Sequence, residues 1–425
     1  MPERDALGAP DIVIANGFDR YHLLTAAVEA ERRGRLERCI AGFYPTARIA
    51  TLARLGLDRQ QKFLRLMDRK VALPDDKLVT MPVLETAGHL GGRLLGERCV
   101  AAVRRRFSEN ARRVVESSTA ALYHYRSGFG HRSAVAARQR GMATLCDHSI
   151  AHPGVLAHLV QHQGRLPAEG EQGDVSPSWQ DVMDDLRHAD RVLVNSDFVK
   201  ETFVHQGWDP ARIDVIYQGL DDSFFDLLES VATPEPADDS TLQLVFAGAF
   251  EQRKGADHLA EALQALDDVP WRLQLIGPLD DGMRTRHAGF LNDSRVTVVG
   301  RVGRGELARR LQAADAFLFP SLAEGSARVV FEALAAGCFV ITTKNSGSIV
   351  EDGKHGFIVQ PDDPSTTADA LRRAHANRAM VQKIGEANRA VVRDHYRQAG
   401  YGDALMAVYD RLLAGRRPDG RREAA

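Results

Sequence analysis

The 425 residues are too many for one hydrophobic core and call for two or three domains, and 44% hydrophobic with 26% charged residues is an ordinary globular balance. A formal net charge of −2 gives no argument for nucleic acid or an acidic surface as partner, and no apolar run of about 18 residues is present to span a membrane. Cys39, Cys99, Cys146 and Cys338 are scattered without a CxxC pair, which favours reduced, buried thiols over zinc or disulfides, and the charged Met-Pro-Glu-Arg-Asp opening is unlike a signal peptide, so a cytoplasmic chain is expected.

Asp11–Ala15 reads as a strand, Asn16-Gly17-Phe18-Asp19 as a turn and Tyr21–Arg33 as an amphipathic helix ended by Gly34. With one glycine this βα start is no dinucleotide fingerprint. Arg48–Lys70 is a helical stretch with a cationic bias that recurs at Arg104–Arg106 and Arg112-Arg113. Weak peripheral contact with anionic headgroups is one reading, and a solvated face over a core-facing stripe is the plainer one. A helix over Glu97–Ser117 and strands over Ala120–His124 and Met142–Cys146 continue an alternation that implies a parallel sheet. Asp147-His148 follows at a carboxyl end, where open parallel sheets bind ligands. His158 and His162 have helical spacing and could form a metal pair, but without a nearby third ligand a polar helix face fits better. Gly164–Ser178 reads as a mobile loop, Arg191–Asn195 as a strand with Ser196 opening a helix, and Ile213–Tyr217 as the last strand of a first domain, 1–218. The Ala232-Thr-Pro-Glu-Pro-Ala-Asp-Asp-Ser composition will not pack, which places a linker over 219–240.

Leu242–Ala247 restarts the alternation for a second domain, 241–397. Gly248 follows, then Arg253-Lys254-Gly255 opens a helix to about Leu266 and offers two cations beside a helix start. Strands over Trp271–Ile276 and Val296–Gly300 lead to the turn Gly300-Arg301-Val302-Gly303. Ala316–Phe319 is a strand, Ser326 a candidate N-cap for a helix over Ala327–Ala336 that Gly337 closes, and Cys338–Thr342 the next strand. Glu324 in the loop and Glu332 two turns into the helix flank the amides of Gly325, Ser326 and Ala327, which suit a phosphate. Hydroxyl-binding carboxylates around a phosphate site match the layout of a nucleotide sugar, although a lone Glu on a helix is usually a solvated face. Asp363-Pro364 starts a helix, further helices cover Met380–Arg393 and Tyr401–Leu413, and a disordered tail is expected over 415–425.

Glu324-Gly-Ser-x5-Glu332-Ala-Leu-Ala-Ala-Gly337, the following Ser346-Gly347 to Gly356 segment and Phe246-Ala-Gly248 to Lys254-Gly255 resemble the family 4 retaining glycosyltransferases with their E-x7-E signature. The resemblance implies the GT-B fold: two Rossmann-like, doubly wound parallel-sheet domains facing across a cleft, acceptor-binding first and donor-binding second, with helix 398–414 packing back on the first. It implies sugar transfer from a nucleotide-diphosphate sugar to a glycan, lipid-linked or small-molecule hydroxyl, with retention. By the same resemblance Glu332 holds the ribose and Glu324 the donor sugar, without Glu324 being a covalent nucleophile. Lys254 and Arg253 clamp the diphosphate near Gly248, Arg301 and Val302 frame the base, His148 supports the reacting centre, and Gly17 with His148 faces the acceptor. Many members carry Arg where this chain has Ala249, so Arg253 substitutes for it or diphosphate binding is weaker. No Asp-x-Asp is present, so neither metal nor other cofactor is expected. A phosphorylase, an epimerase or a non-catalytic partner of the same fold are the alternatives; nucleic acid is not a partner on this reading.

Overall fold

The computed structural model describes residues 9–45, 69–168, 171, 175, 179–231 and 240–415. Nearly all of the basic stretch Arg48–Lys70, part of the loop Gly164–Ser178 and the tail after Gly415 lie outside them.

The first domain is a seven-stranded sheet of β1 (Ile12–Gly17), β2 (Leu36–Ala41), β3 (Leu78–Thr80), β4 (Leu122–Arg126), β5 (Ala143–His148), β6 (Arg191–Val194) and β7 (Ile213–Val215). The strands run in the order β3-β2-β1-β4-β5-β6-β7, all parallel. The second domain has six, β8 (Leu242–Ala247), β9 (Trp271–Ile276), β10 (Val296–Gly300), β11 (Ala316–Phe319), β12 (Phe339–Thr342) and β13 (Gly356–Ile358), in the parallel order β10-β9-β8-β11-β12-β13. Helices cover both faces, so central strands are buried throughout rather than on alternate residues: every residue of β1, β11 and β12 is buried. In each sheet the strand order reverses beside its first strand, at β1/β4 and at β8/β11, and a crevice opens at such a point.

Tyr401, Leu405, Tyr409 and Leu412 of helix Gln398–Ala414 are buried in the first domain's core beside Leu24 and Val28. The Tyr409 hydroxyl lies 2.7 Å from His124 Nδ1, so the end of the chain is tied to β4.

Two expectations are corrected. The segment 219–240 is not linker throughout: Asp222–Ser230 is a helix whose Phe224 and Leu228 lie in the second domain's core. Its amphipathic Phe224-Phe225-x-x-Leu228 packs, and the Pro- and Asp-rich composition belongs to the residues after it, of which 232–239 lie outside the described ones. β5 also runs two residues further than its apolar run, so His148 is the strand's last residue rather than part of the following loop. Asp147 and His148 are tolerated there because each is buried against polar partners.

Candidate functional site

In the second domain the chain leaves β8 through Gly248, at φ 146°, and makes a 3-10 turn over Gln252–Lys254. Gly255 follows in the left-handed region at φ 78°, where a Cβ would run into the Pro320 carbonyl. The helix, Ala256–Gln264, begins only after this glycine, so Arg253 and Lys254 precede the helix rather than open it. The turn aims both cations at one carboxylate. Lys254 Nζ lies 2.9 Å and Arg253 Nη1 2.7 Å from Glu324 Oε1, while Glu324 Oε2 has no hydrogen-bond donor among the described residues. Arg253 also donates to the Ala323 carbonyl at 2.8 Å.

The helix after Glu324 spans Arg328–Ala336, with Gly337 closing it at φ 93°. Ser326 is not its N-cap. Ala327 holds that position without a side-chain cap, and the Ala327 amide donates to the Ser346 carbonyl at 3.0 Å. The Lys344–Ser346 turn therefore takes one of the three amides expected to face a phosphate. The amides of Gly325 and Ser326 find no acceptor among the described residues, and the first turn of the helix leaves further donors unpaired. A cleft of about 440 Å³ brings together Gly248, Lys254, Arg301, Val302, Glu324 and Ser326. Arg328, which sequence reading passed over, lines it too.

Glu332 is outside that lining, 8% exposed, with Arg328 Nε 3.5 Å from its Oε1. Burial pushes its carboxyl pKa up, against the pull of Arg328 and Arg304. Both arginines are held by Asp221, Arg304 at 2.9 Å. The spacing of Arg328 and Glu332, one turn apart, was the signal for this pair.

On the first domain, His148 is 2% exposed at the end of β5, its Nδ1 2.9 Å from Ser127 Oγ. Its Nε2 is buried without a partner among the described residues. Burial pushes the imidazole pKa down to about 4, so the ring is neutral at pH 7. It lines a pocket of about 380 Å³ with Tyr21, Arg104, Arg126, Ser127 and Trp179. Burial would raise the neighbouring Asp147 carboxyl, but His22, 2.7 Å away, and His124 hold it below the usual range. Gly17 does not line the pocket. At φ 76° it leaves room for the Phe129 ring, 2.9 Å from where a Cβ would stand, and Phe129 forms part of the pocket wall. His158 and His162 stack at 4.0 Å, and neither belongs to a group of three candidate metal ligands among the described residues.

The two halves of the site meet across the cleft. Ser196 donates to the Gly325 carbonyl, and a Cβ on Gly325 would run into the carbonyl oxygen of Ser149, the residue after His148.

Residues 241–377 match the family described as Glycosyl transferases group 1. A D-inositol 3-phosphate glycosyltransferase of Mycolicibacterium gilvum is 32% identical over 255 residues, covering 56% of this chain and 55% of that one. The chain thus spans about half the length of the curated relatives it matches. Among solved structures, sucrose-phosphate synthase from Thermosynechococcus elongatus superposes with TM-score 0.64 at 18% identity, over 95% of this chain and 99% of that one. HepE from Anabaena in complex with UDP and glucose superposes with TM-score 0.61 at 15% identity, over 94% and 99%. At such identities the likeness is one of fold, and that fold is GT-B. Among the described residues no helix is long and apolar enough to cross a membrane.

Proposed function

We propose that this chain, whose residues 241–377 form a group 1 glycosyl transferase domain, transfers a sugar from a nucleotide-diphosphate sugar to a hydroxyl acceptor with retention at the anomeric carbon. The observation that carries the reading is the convergence of Lys254 and Arg253 on Glu324 at the carboxyl ends of β8 and β11, beside unpaired amides at a helix start.

In this reading the diphosphate lies against Lys254, Arg253 and the Gly325 and Ser326 amides. These groups are charged or dipolar before the substrate arrives, and they stabilise the negative charge that grows on the leaving phosphate. They supply the role a divalent cation plays elsewhere, which favours a metal-independent transfer. Glu324 keeps Oε1 for the two cations and Oε2 for donor-sugar hydroxyls, which makes it a poor covalent nucleophile. Glu332, held near Arg328, binds the ribose, and the turn at Arg301-Val302 frames the base. The neutral His148 offers its unpartnered Nε2 to a sugar hydroxyl near the reacting carbon. The departing phosphate takes the acceptor proton on the face from which it leaves.

The test is a thermal-shift panel of UDP, GDP, ADP and their sugar conjugates with chelator present, followed by proton NMR of the product. A nucleotide-specific rise in melting temperature and an α product from an α donor support the proposal. No shift with any nucleotide from folded protein overturns it.

A further inference from the structure

The first-domain pocket carries two guanidinium groups that the proposed transfer does not use. Arg126 ends β4, and Arg104 projects from helix Glu97–Ser117. Their Cζ atoms stand 5.2 and 5.3 Å from the Phe129 ring centre, and Arg126 also lies 4.1 Å from the Tyr21 ring. Neither pairs with a carboxylate among the described residues. Arg126 donates to the Phe18 carbonyl at 2.9 Å, and Arg104 makes no hydrogen bond to them, its Nε being buried without an acceptor. Two acids line the same pocket, Glu97 and Asp181. Asp181 is taken from outside by Arg105, through bonds of 2.9 and 3.1 Å, and Glu97 is exposed at its helix start. Burial, then the charge of Arg126, lower the Arg104 pKa, so the cationic form is held there at a cost. Buried polar groups are ordinarily satisfied, and two cations left facing one cavity are satisfied best by an anion.

We infer that this pocket is an anion-binding subsite and that the acceptor carries a phosphomonoester gripped between Arg104 and Arg126. Two planar forks arriving from different elements suit a tetrahedral dianion with several acceptor oxygens. The subsite adjoins the reacting end of the cleft, because Ser127, next to Arg126 in sequence, is the hydrogen-bond partner of His148. Calling the ligand an acceptor rests on the transferase reading; the anion site itself does not.

Inorganic phosphate is the probe, with melting followed while a saturating nucleoside diphosphate keeps the donor clamp occupied. Phosphate is expected to raise the melting temperature further. Arg104→Gln and Arg126→Gln should each weaken phosphate binding by roughly tenfold or more, the loss of a charge-assisted hydrogen bond, while the nucleotide response stays that of the parent. Arg126→Lys should recover part of the loss. Displacement of the phosphate by glycerol 3-phosphate points to a soluble acceptor, and displacement by phosphatidic acid vesicles to a lipid headgroup; either supports the phosphate assignment. A phosphate response unchanged in both glutamine variants, or absent from a parent that still responds to nucleotide, overturns the inference. So does an equal, arginine-dependent response to acetate. A parent that responds to phosphate but to no nucleotide retains the anion site and loses the transferase reading.

Discussion

Lys254 Nζ lies 2.9 Å from Glu324 Oε1 across a separation of 70 residues, and the contact joins the turn after β8 to the loop after β11. Those strands are neighbours at the reversal of strand order, so the fold itself delivers a cation and a carboxylate to the mouth of one crevice. Arg253 reaches the same oxygen from the adjacent position. The cations are thus oriented before any ligand binds, and on the proposed reading a diphosphate entering the cleft would not have to order two long side chains.

Lys254→Ala removes one of these cations, together with its contact over the Phe319 ring. The dissociation constant of the nucleoside diphosphate is expected to rise about 10- to 100-fold, as for one hydrogen bond to a charged group. Titration calorimetry on parent and variant measures it. An unchanged affinity would take Lys254 out of the diphosphate site.

Glu324→Gln keeps the shape and removes the charge. Turnover should fall by about 100-fold or more while nucleotide affinity changes by only a few fold, the pattern of an interaction made mainly in the transition state. Steady-state kinetics beside nucleotide titrations separate the two. A variant that loses affinity and keeps turnover would make Glu324 an orienting group for Lys254 and Arg253 alone.

Much of this arrangement was legible in the sequence because it depends on local pattern. Apolar runs gave the core strands, Gly337 marked a helix end, and the spacing of Glu324 and Glu332 drew attention to their loop and helix. What could not be read was pairing across the chain. Nothing near Ser326 says that the Ala327 amide will donate to Ser346, or that Glu324 will accept from both Arg253 and Lys254. Arg104 and Arg126 were equally opaque: an arginine triplet on a helix looks like a solvated face until tertiary packing turns one member inward. The helix Asp222–Ser230 was hidden by the composition of the residues after it.

Gly325 stands where backbone passes close to backbone. Its Cβ would meet the Ser149 carbonyl, with Asn195 Nδ2 also 2.8 Å away, so Gly325→Ala forces the Glu324 loop off the loop that begins at Ser149, just after β5. The cores of both domains are untouched. Nucleotide affinity is expected to stay within about threefold while turnover drops by about 100-fold, the cost of misplacing reacting groups by an ångström. Small-angle scattering should show a slightly more open molecule. A variant with parental turnover would mean that the contact between these loops is not part of the reactive arrangement.

His148 makes a prediction about acid. Its imidazole is held neutral in the fold, with a pKa of about 4, whereas the unfolded chain has an ordinary histidine near 6.5. Between these values the unfolded state binds the extra proton, so the stabilising contribution of the neutral ring is complete above about pH 6.5 and is lost as pH falls toward 4. The full loss is about 3 kcal/mol at 1.36 kcal/mol per pKa unit. Other groups titrate in the same window, so the quantity to measure is the stability difference between parent and His148→Gln, from urea unfolding at pH 7.5, 6.0, 5.0 and 4.5. That difference should be constant above about pH 6.5 and shift in the variant's favour by about 1.36 kcal/mol per pH unit below it. A difference that does not move between pH 7.5 and 4.5 would mean that His148 titrates normally in the folded protein, and the neutral Nε2 assigned to the donor sugar would then be protonated in acid.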